Sequence, residues 1–373
     1  MPAERWTFKV PTVITFGDGV SNQLNEVAAA LGHRPVLVTD ATVSGVALVK
    51  QRVSGLRAEA VFDQVEPNPT VENVDHLAGL LRQTRADVVV ALGGGSVIDC
   101  AKAASCLACT DEQSIRPYHS EGRTLGDEHL PLVAVPTTAG TGSEVTPFSV
   151  LDDRQKQVKG PVAHDGFYPV RAVVDPELSV SMPPGVTAAT GLDALCHAIE
   201  GYWSTNHQPL CDLLALDAAG VIVQQLETAI AEPEDLAARR AMMRAATEAG
   251  LAFQLPKNAM VHACSFPLSN RHHLSHGAAC AFTLGEAVRL NAPAMGPRMD
   301  RLVEACGCGS VDELIERIDH LKQLGGLPRT LSEAGISPDE IETLIDESFH
   351  PLMNNNPHPV TRDDLVAMYD RLS

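Results

Sequence analysis

The chain has 373 residues, 45% of them hydrophobic and 20% charged, and carries a formal net charge of −19. That length allows two domains with real cores, and the acidity sets the surface against nucleic acid and anionic lipid. No apolar run reaches the roughly 18–20 residues of a membrane helix, and the segment Met1-Pro2-Ala3-Glu4-Arg5-Trp6 lacks the basic and apolar blocks of a signal peptide.

Along the first half, strand-like and helix-like segments alternate. Val36-Leu37-Val38-Thr39 is a short apolar strand ending at Asp40. Val88-Val89-Val90-Ala91-Leu92 is a second, running straight into Gly93-Gly94-Gly95-Ser96. Leu132-Val133-Ala134-Val135 is a third, stopped by Pro136, and Ala172-Val173-Val174 is a fourth, ending at Asp175. Continuous β-branched runs of this kind read as strands buried on both faces, as in a parallel sheet. Helix-compatible stretches, residues 71–85 and 97–107 among them, lie between. The alternation predicts a doubly wound α/β domain over residues 1–184.

The character changes at Met182-Pro183-Pro184, beyond which β-branched runs nearly vanish. Residues 188–202, 210–232, 236–252 and 311–324 have helical spacing. An all-helical domain is expected over residues 185–373. The nine cysteines are scattered. Cys106 and Cys109 form a C-x-x-C, and Cys306 and Cys308 a close pair, but neither has the matched partner pair of a zinc site. They read as buried thiols in a reduced, cytoplasmic setting.

Gly93-Gly94-Gly95-Ser96 follows a strand and opens a helix. Glycines let the backbone approach a pyrophosphate, and a helix start offers free N–H groups and a positive dipole end. The spacing is not G-x-G-x-x-G, so a simple tight turn stands as the alternative. A second polar loop, Pro136-Thr137-Thr138-Ala139-Gly140-Thr141-Gly142-Ser143-Glu144, also follows a strand and supplies hydroxyls to the same sheet edge. Asp40, at the end of the first strand, suits a ribose hydroxyl and opposes a 2′-phosphate, which favours NAD over NADP. Its competing role is a helix N-cap.

In the helical half, Asp193 and His197 stand four residues apart, which puts both on one helix face. Their neighbours Leu192, Leu195, Cys196 and Ile199 are apolar, so the pair is buried. An unpaired buried carboxylate is costly, and a cation or a hydrogen bond relieves it. Four of the fourteen histidines fall in one stretch, at His262, His272, His273 and His276. Such clustering suits a borderline divalent ion, Fe(II), Zn(II), Co(II) or Mn(II). One Asp and three His would leave a position for a substrate oxygen.

Taken together, Gly-Gly-Gly-Ser, Pro-Thr-Thr-Ala-Gly-Thr-Gly-Ser-Glu, Thr-Gly-Leu-Asp-Ala-Leu-Cys-His-Ala-Ile-Glu and the His262 to His276-Gly277 spacing resemble the iron-containing (group III) alcohol dehydrogenases. The resemblance runs from Phe16-Gly17 through Pro67-Asn68-Pro69-Thr70 to Asn355-Asn356-Pro357. It implies metal ligands at Asp193, His197, His262 and His276, with Fe(II) or another divalent ion such as Zn(II). It implies cofactor contacts at Asp40, Gly94, Gly95, Ser96, Thr137, Thr138 and Lys159, the last on a nicotinamide ribose. It further implies a small aldehyde or alcohol substrate and a homo-oligomer.

One position departs from the pattern. The family usually carries a second His four residues after the third ligand, where this chain has Phe266. The run Ser265-Phe266-Pro267-Leu268 with the following Arg/His loop is most similar to the phosphonoacetaldehyde reductase branch, which forms 2-hydroxyethylphosphonate. On that reading Arg271 and His272 are the candidate catalytic and anion-binding residues, and the proton comes from solvent, from His272 or through the cofactor ribose. A solvated or acid-paired Arg271 is the alternative. A lyase like the dehydroquinate synthases shares the scaffold, NAD and a metal, but would need a denser set of Lys and Arg and different ligand spacing.

Overall fold

The computed structural model describes residues 5–373. Strand β1 (Val13–Phe16) and helix α1 (Leu24–Ala29) lead to β2 (Pro35–Val38), α2 (Ala41–Gly45), α3 (Ala47–Val53) and β3 (Ala60–Phe62). Then come α4 (Val71–Thr84), β4 (Val88–Gly93), α5 (Gly95–Leu107), α6 (Arg116–Ser120) and β5 (Leu132–Pro136). A hairpin of β6 (Phe148–Asp153) and β7 (Val158–Ala163) precedes β8 (Arg171–Val174). The remainder is helical: α7 (Pro184–Trp203), α8 (Pro209–Ala231), α9 (Leu236–Phe253), α10 (Met260–His272), α11 (His276–Met295), α12 (Pro297–Ala305), α13 (Val311–Leu324), α14 (Ile341–Ser348) and α15 (Arg362–Arg371).

Six strands form one parallel sheet in the order β1-β8-β5-β4-β2-β3. Val88 to Leu92 are fully buried because the sheet is covered on both faces. Val89 and Ala91 pack with Leu77 of α4 and Ala101 of α5, whereas Val88, Val90 and Leu92 pack with Leu24 of α1 and Val49 of α3. That two-sided burial explains the unbroken apolar runs of β2, β4 and β5. From β2 the chain moves outward to β3, and from β4 it moves the other way to β5. The switch point therefore lies between β2 and β4, where ligands sit at the carboxyl ends of such sheets. Val38 is in register with Ala91, which brings Asp40 level with Gly93.

The chain divides into two compact units. One comprises Lys9–Thr138 and Ser143–Ser181; the other contains Met182–Ser373 together with residues 5–8 and Ala139–Gly142. The sheet unit thus ends at Ser181 rather than at the expected 184, and a four-residue stretch after β5 belongs with the helices. Gly140 explains that membership, since a Cβ there would stand 2.8 Å from Thr190 Cβ on α7, and one on Gly142 would stand 2.5 Å from Gly250 Cα on α9.

Small residues also set the spacing of the helices. A Cβ on Gly201 of α7 would meet Phe253 Cα at 3.1 Å, and one on Gly277 of α11 would meet Ala189 O at 2.1 Å. The close approach leaves α7 buried along nearly its whole length from Thr187 to Trp203. Contrary to the expectation from apolar runs, α8 is long and apolar enough to cross a membrane by length and composition, with a mean hydropathy of 1.4. Only half of it is buried, and it packs against α7 and α9. Asp212, Asp217 and Glu227 interrupt its surface, and each meets a cation there.

Candidate functional site

In the sheet unit, the loops after β4 and β5 meet as their register requires. Gly93 is opposite Pro136, and Thr137 N donates to Gly93 O at 3.0 Å. Gly94 stands at the N-terminus of α5, which has no side-chain cap, so its first N–H groups are available to an anion. A Cβ on Gly94 would press within 3.4 Å of Thr138, so Thr138 and the glycine turn line one cradle. A Cβ on Gly93 would collide with Val97 at 2.6 Å, which fixes glycine at the turn itself.

Asp40 accepts from Thr42 N and Val43 N at 2.9 Å each, both through Oδ1. The capping role is therefore realised, and it engages one carboxylate oxygen. Ser96 Oγ accepts from Asn68 N at 3.2 Å. Lys159 on β7 donates to Asn68 Oδ1 at 3.2 Å, so Asn68, Ser96 and Lys159 form one group.

Two side chains that sequence reading passed over brace this edge. Lys102 of α5 is fully buried and donates to Ser143 Oγ at 2.8 Å, Thr146 O at 2.9 Å and Phe148 O at 2.8 Å. Burial pulls its ammonium down to about 8 against the opposite pull of Asp99 and Glu144. Asp99 accepts from Ser143 Oγ and from Val150 N, and burial raises its carboxyl. The spacing of Asp99 and Lys102 on one helix was the available signal; their burial was not visible.

In the helical unit, α7, α10 and α11 converge on a buried cluster. Asp193 and His197 come from α7, His262 from α10 and His276 from the first position of α11. His262 Nε2 lies 3.0 Å from His197 Nε2 and 3.8 Å from Asp193 Oδ1, and His276 Nε2 lies 3.6 Å from the same oxygen. The rings of His197 and His262 stack at 4.6 Å, and the Phe253 ring also stacks on His197 at 4.2 Å. Asp193 Oδ1 is buried and no hydrogen bond reaches it. Burial pushes the Asp193 carboxyl up to about 6, with His262 pulling against it. Burial, reinforced by His262 and His276, holds the His197 imidazole far below its usual range.

A buried carboxylate whose Oδ1 is reached by no hydrogen bond, set beside these imidazoles, is costly as it stands and suits a divalent cation. The donor set therefore fits an ion. Glu200, fully buried on α7, accepts from Val261 N at 2.7 Å and from His262 Nδ1 at 2.5 Å. That bond places the His262 ring proton on Nδ1 and turns the Nε2 lone pair toward the cluster. Sequence reading gave Glu200 no role, although it sits seven residues after Asp193 on the same helical face.

The other predicted residues lie elsewhere. Arg271 is exposed and forms a two-pronged ion pair with Glu347 on α14, the acid-paired alternative to an inward-pointing anion contact. His272 is half-buried at the end of α10, its Nε2 3.8 Å from Glu340 Oε1. Phe266 meets the half-buried His350 ring edge-on at 5.0 Å. All nine cysteines are free. Burial pushes Cys106 up to about 12, as an inert core thiol should be.

Residues 11–176 match the iron-containing alcohol dehydrogenase domain, and residues 187–373 match the C-terminal domain of the same Fe-containing alcohol dehydrogenase family. The chain belongs to the iron-containing alcohol dehydrogenase family. It is 36% identical to long-chain-alcohol dehydrogenase 1 of Geobacillus thermodenitrificans, over 96% of this chain and 95% of that one. It is 34% identical to choline dehydrogenase of Bacillus subtilis, over 98% and 94%. Among solved structures, the sulfoacetaldehyde reductase of Bifidobacterium kashiwanohense in complex with NAD+ superposes with a TM-score of 0.94 at 41% identity, covering 99% of both chains. The protein is thus an oxidoreductase acting on a CH–OH group, with NAD and a metal as its cofactors.

Proposed function

We propose that this enzyme uses NADH to reduce a two-carbon aldehyde bearing a tetrahedral oxyanion, with sulfoacetaldehyde as the preferred substrate. The observation that carries this reading is the similarity to a sulfoacetaldehyde reductase at 41% identity across 99% of both chains. Arg271 is held by Glu347 rather than left to a substrate anion, which favours the singly charged sulfonate over a more highly charged group. Phosphonoacetaldehyde, with the same tetrahedral shape and more charge, is the second reading. It is favoured by the Ser265-Phe266-Pro267-Leu268 run and by the imidazoles His272 and His273 beside it.

When bound, the nicotinamide would supply the hydride for the aldehyde carbon. The metal, when bound, supplies Lewis acidity to the carbonyl oxygen. Asp193, His197, His262 and His276 hold it, and Glu200 fixes the His262 tautomer that can ligate. The N–H groups at Gly95 and Ser96 and the hydroxyls of Thr137 and Thr138 would hold the pyrophosphate. Asp40, which caps α2 through Oδ1, would accept from the adenosine ribose through its other oxygen. Lys159, which donates to Asn68 Oδ1, would donate to the nicotinamide ribose. Phe266 offers carbon only, so it shields rather than feeds the proton path.

The test compares kcat/KM for sulfoacetaldehyde, phosphonoacetaldehyde and propanal with NADH. The sulfonate should lead, with the phosphonate second. A clear preference for propanal would overturn the anionic-substrate reading, and a lead for the phosphonate would select the second.

A further inference from the structure

His350 stands just ahead of a short turn, Pro351–Asn355, that packs on α10. This segment is tied to the ends of α7 and α10 and to α11, the helices that carry the cluster. Asn355 O accepts from Thr205 N, just beyond α7, at 2.8 Å, and Asn355 Nδ2 donates to Asn258 O, just before α10, at 2.8 Å. Asn356 and Asn291 of α11 exchange two buried amide hydrogen bonds at 2.7 and 3.1 Å. The place of His350 is therefore fixed relative to Asp193, His262 and His276.

His350 Nδ1 accepts from Leu352 N at 3.2 Å, which caps the turn and puts the ring hydrogen on Nε2. Burial lowers the imidazole below its usual range, in keeping with a neutral ring. Nε2 has no protein partner among the described residues. Capping thus uses one nitrogen and leaves an N–H donor for a ligand. The Phe266 ring meets the imidazole edge-on at 5.0 Å and limits its rotation. Phe266 is half-buried, one turn beyond His262 on the same face of α10. The side chain of His276 is 28% exposed where those of Asp193 and His262 are 3%, so the cluster opens beside His276.

One helical turn advances about 6 Å, and the edge-on contact adds the width of a ring. His350 therefore stands too far out to reach a carbonyl oxygen at the cluster, and at the distance of the far end of a two-carbon substrate. We propose that His350 is a specificity-determining residue whose Nε2–H donates to the sulfonate of the aldehyde while the carbonyl faces Asp193 and the histidines. A neutral donor suits a single charge spread over three oxygens. It makes the contact that Arg271, held by Glu347, does not supply. The inference rests on the anionic-aldehyde reading, and the experiment separates the two.

The metal-loaded enzyme is assayed with NADH on sulfoacetaldehyde and on propanal, and calorimetry measures its binding of ethanesulfonate. His350→Asn keeps an oxygen that can cap Leu352 N but lacks the Nε2 donor, whereas His350→Gln carries an amide N–H to about the position of Nε2. His350→Asn should lower the sulfoacetaldehyde-to-propanal ratio of kcat/KM by at least about 10-fold and weaken ethanesulfonate binding by at least about 10-fold, at the melting temperature and metal content of the parent. His350→Gln should keep both quantities within about 3-fold of the parent, and it decides the matter alone if His350→Asn does not fold. A His350→Asn variant that retains the preference and the binding, equal losses on both aldehydes, or a loss in His350→Gln as large as in His350→Asn would overturn the His350 contact and leave the substrate reading standing. A parent that neither prefers sulfoacetaldehyde to propanal nor binds ethanesulfonate would overturn the substrate reading and the proposal with it.

Discussion

Replacing Glu200 by Gln should weaken the metal centre without any contact to the metal. Glu200 has no solvent exposure and uses its two oxygens on two donors, Val261 N at 2.7 Å and His262 Nδ1 at 2.5 Å. A glutamine has one oxygen for those two donors. If it keeps Val261, its amide N–H faces Nδ1, and the ring proton must move to Nε2, the atom turned toward Asp193 and His197. That tautomer has no lone pair for an ion. If it keeps His262, a buried N–H faces Val261 N–H, which costs about 1–3 kcal/mol of fold stability. Loss of such an orienting carboxylate typically weakens metal binding by about 10- to 100-fold, or roughly 1.4–2.7 kcal/mol. Chelator competition on parent and variant measures the affinity, and thermal unfolding of the metal-free proteins measures the fold. An unchanged affinity with an unchanged melting temperature would refute the orienting role.

Three further outcomes follow from the same geometry. Asp40→Ser keeps a capping oxygen for α2 but removes the charge, and should raise the NADPH-to-NADH ratio of kcat/KM by roughly 5- to 10-fold; a parent that already prefers NADPH would show the reading of Asp40 to be wrong. Gly277→Ala should force α11 away from Ala189 O, lowering stability by about 1–3 kcal/mol and weakening metal binding through the adjacent His276; wild-type stability and metal content would contradict the packing argument. Burial and Asp217 push Glu248 on α9 up to about 7 against the pull of Arg244, so the folded state holds a proton that the unfolded chain releases near 4.5. Stability should therefore fall as pH rises between those values, and Glu248→Gln should gain on the parent in melting temperature from about pH 5 to about pH 8; a gap independent of pH would count against it.

The sequence made legible what depends on local pattern. The buried runs at β2, β4 and β5 announce themselves because both faces are covered, whereas β1 is an exposed edge of four residues and β3 has only three, too short for a periodic signal. The β6–β7 hairpin alternates buried and half-buried positions along β6, and its partner strand is largely exposed, which hides it among loops. Asp193 and His197 share a helix, so their convergence follows from spacing alone. The role of Glu200 could not be read that way, because its partners Val261 and His262 meet it only where α10 packs on α7. For the same reason sequence alone leaves Arg271 open between an anion contact and an acid pair: Glu347 lies 76 residues away.

The central claim is that the buried cluster of α7, α10 and α11 holds the metal on which aldehyde reduction depends. Elemental analysis of the purified parent and of His276→Ala, paired with NADH-dependent reduction of sulfoacetaldehyde before and after chelation, tests it most directly. The account predicts about one divalent ion per chain in the parent, activity that disappears on chelation and returns with added metal, and loss of both metal and turnover in His276→Ala. Full turnover by the metal-free parent, or by His276→Ala, would contradict it.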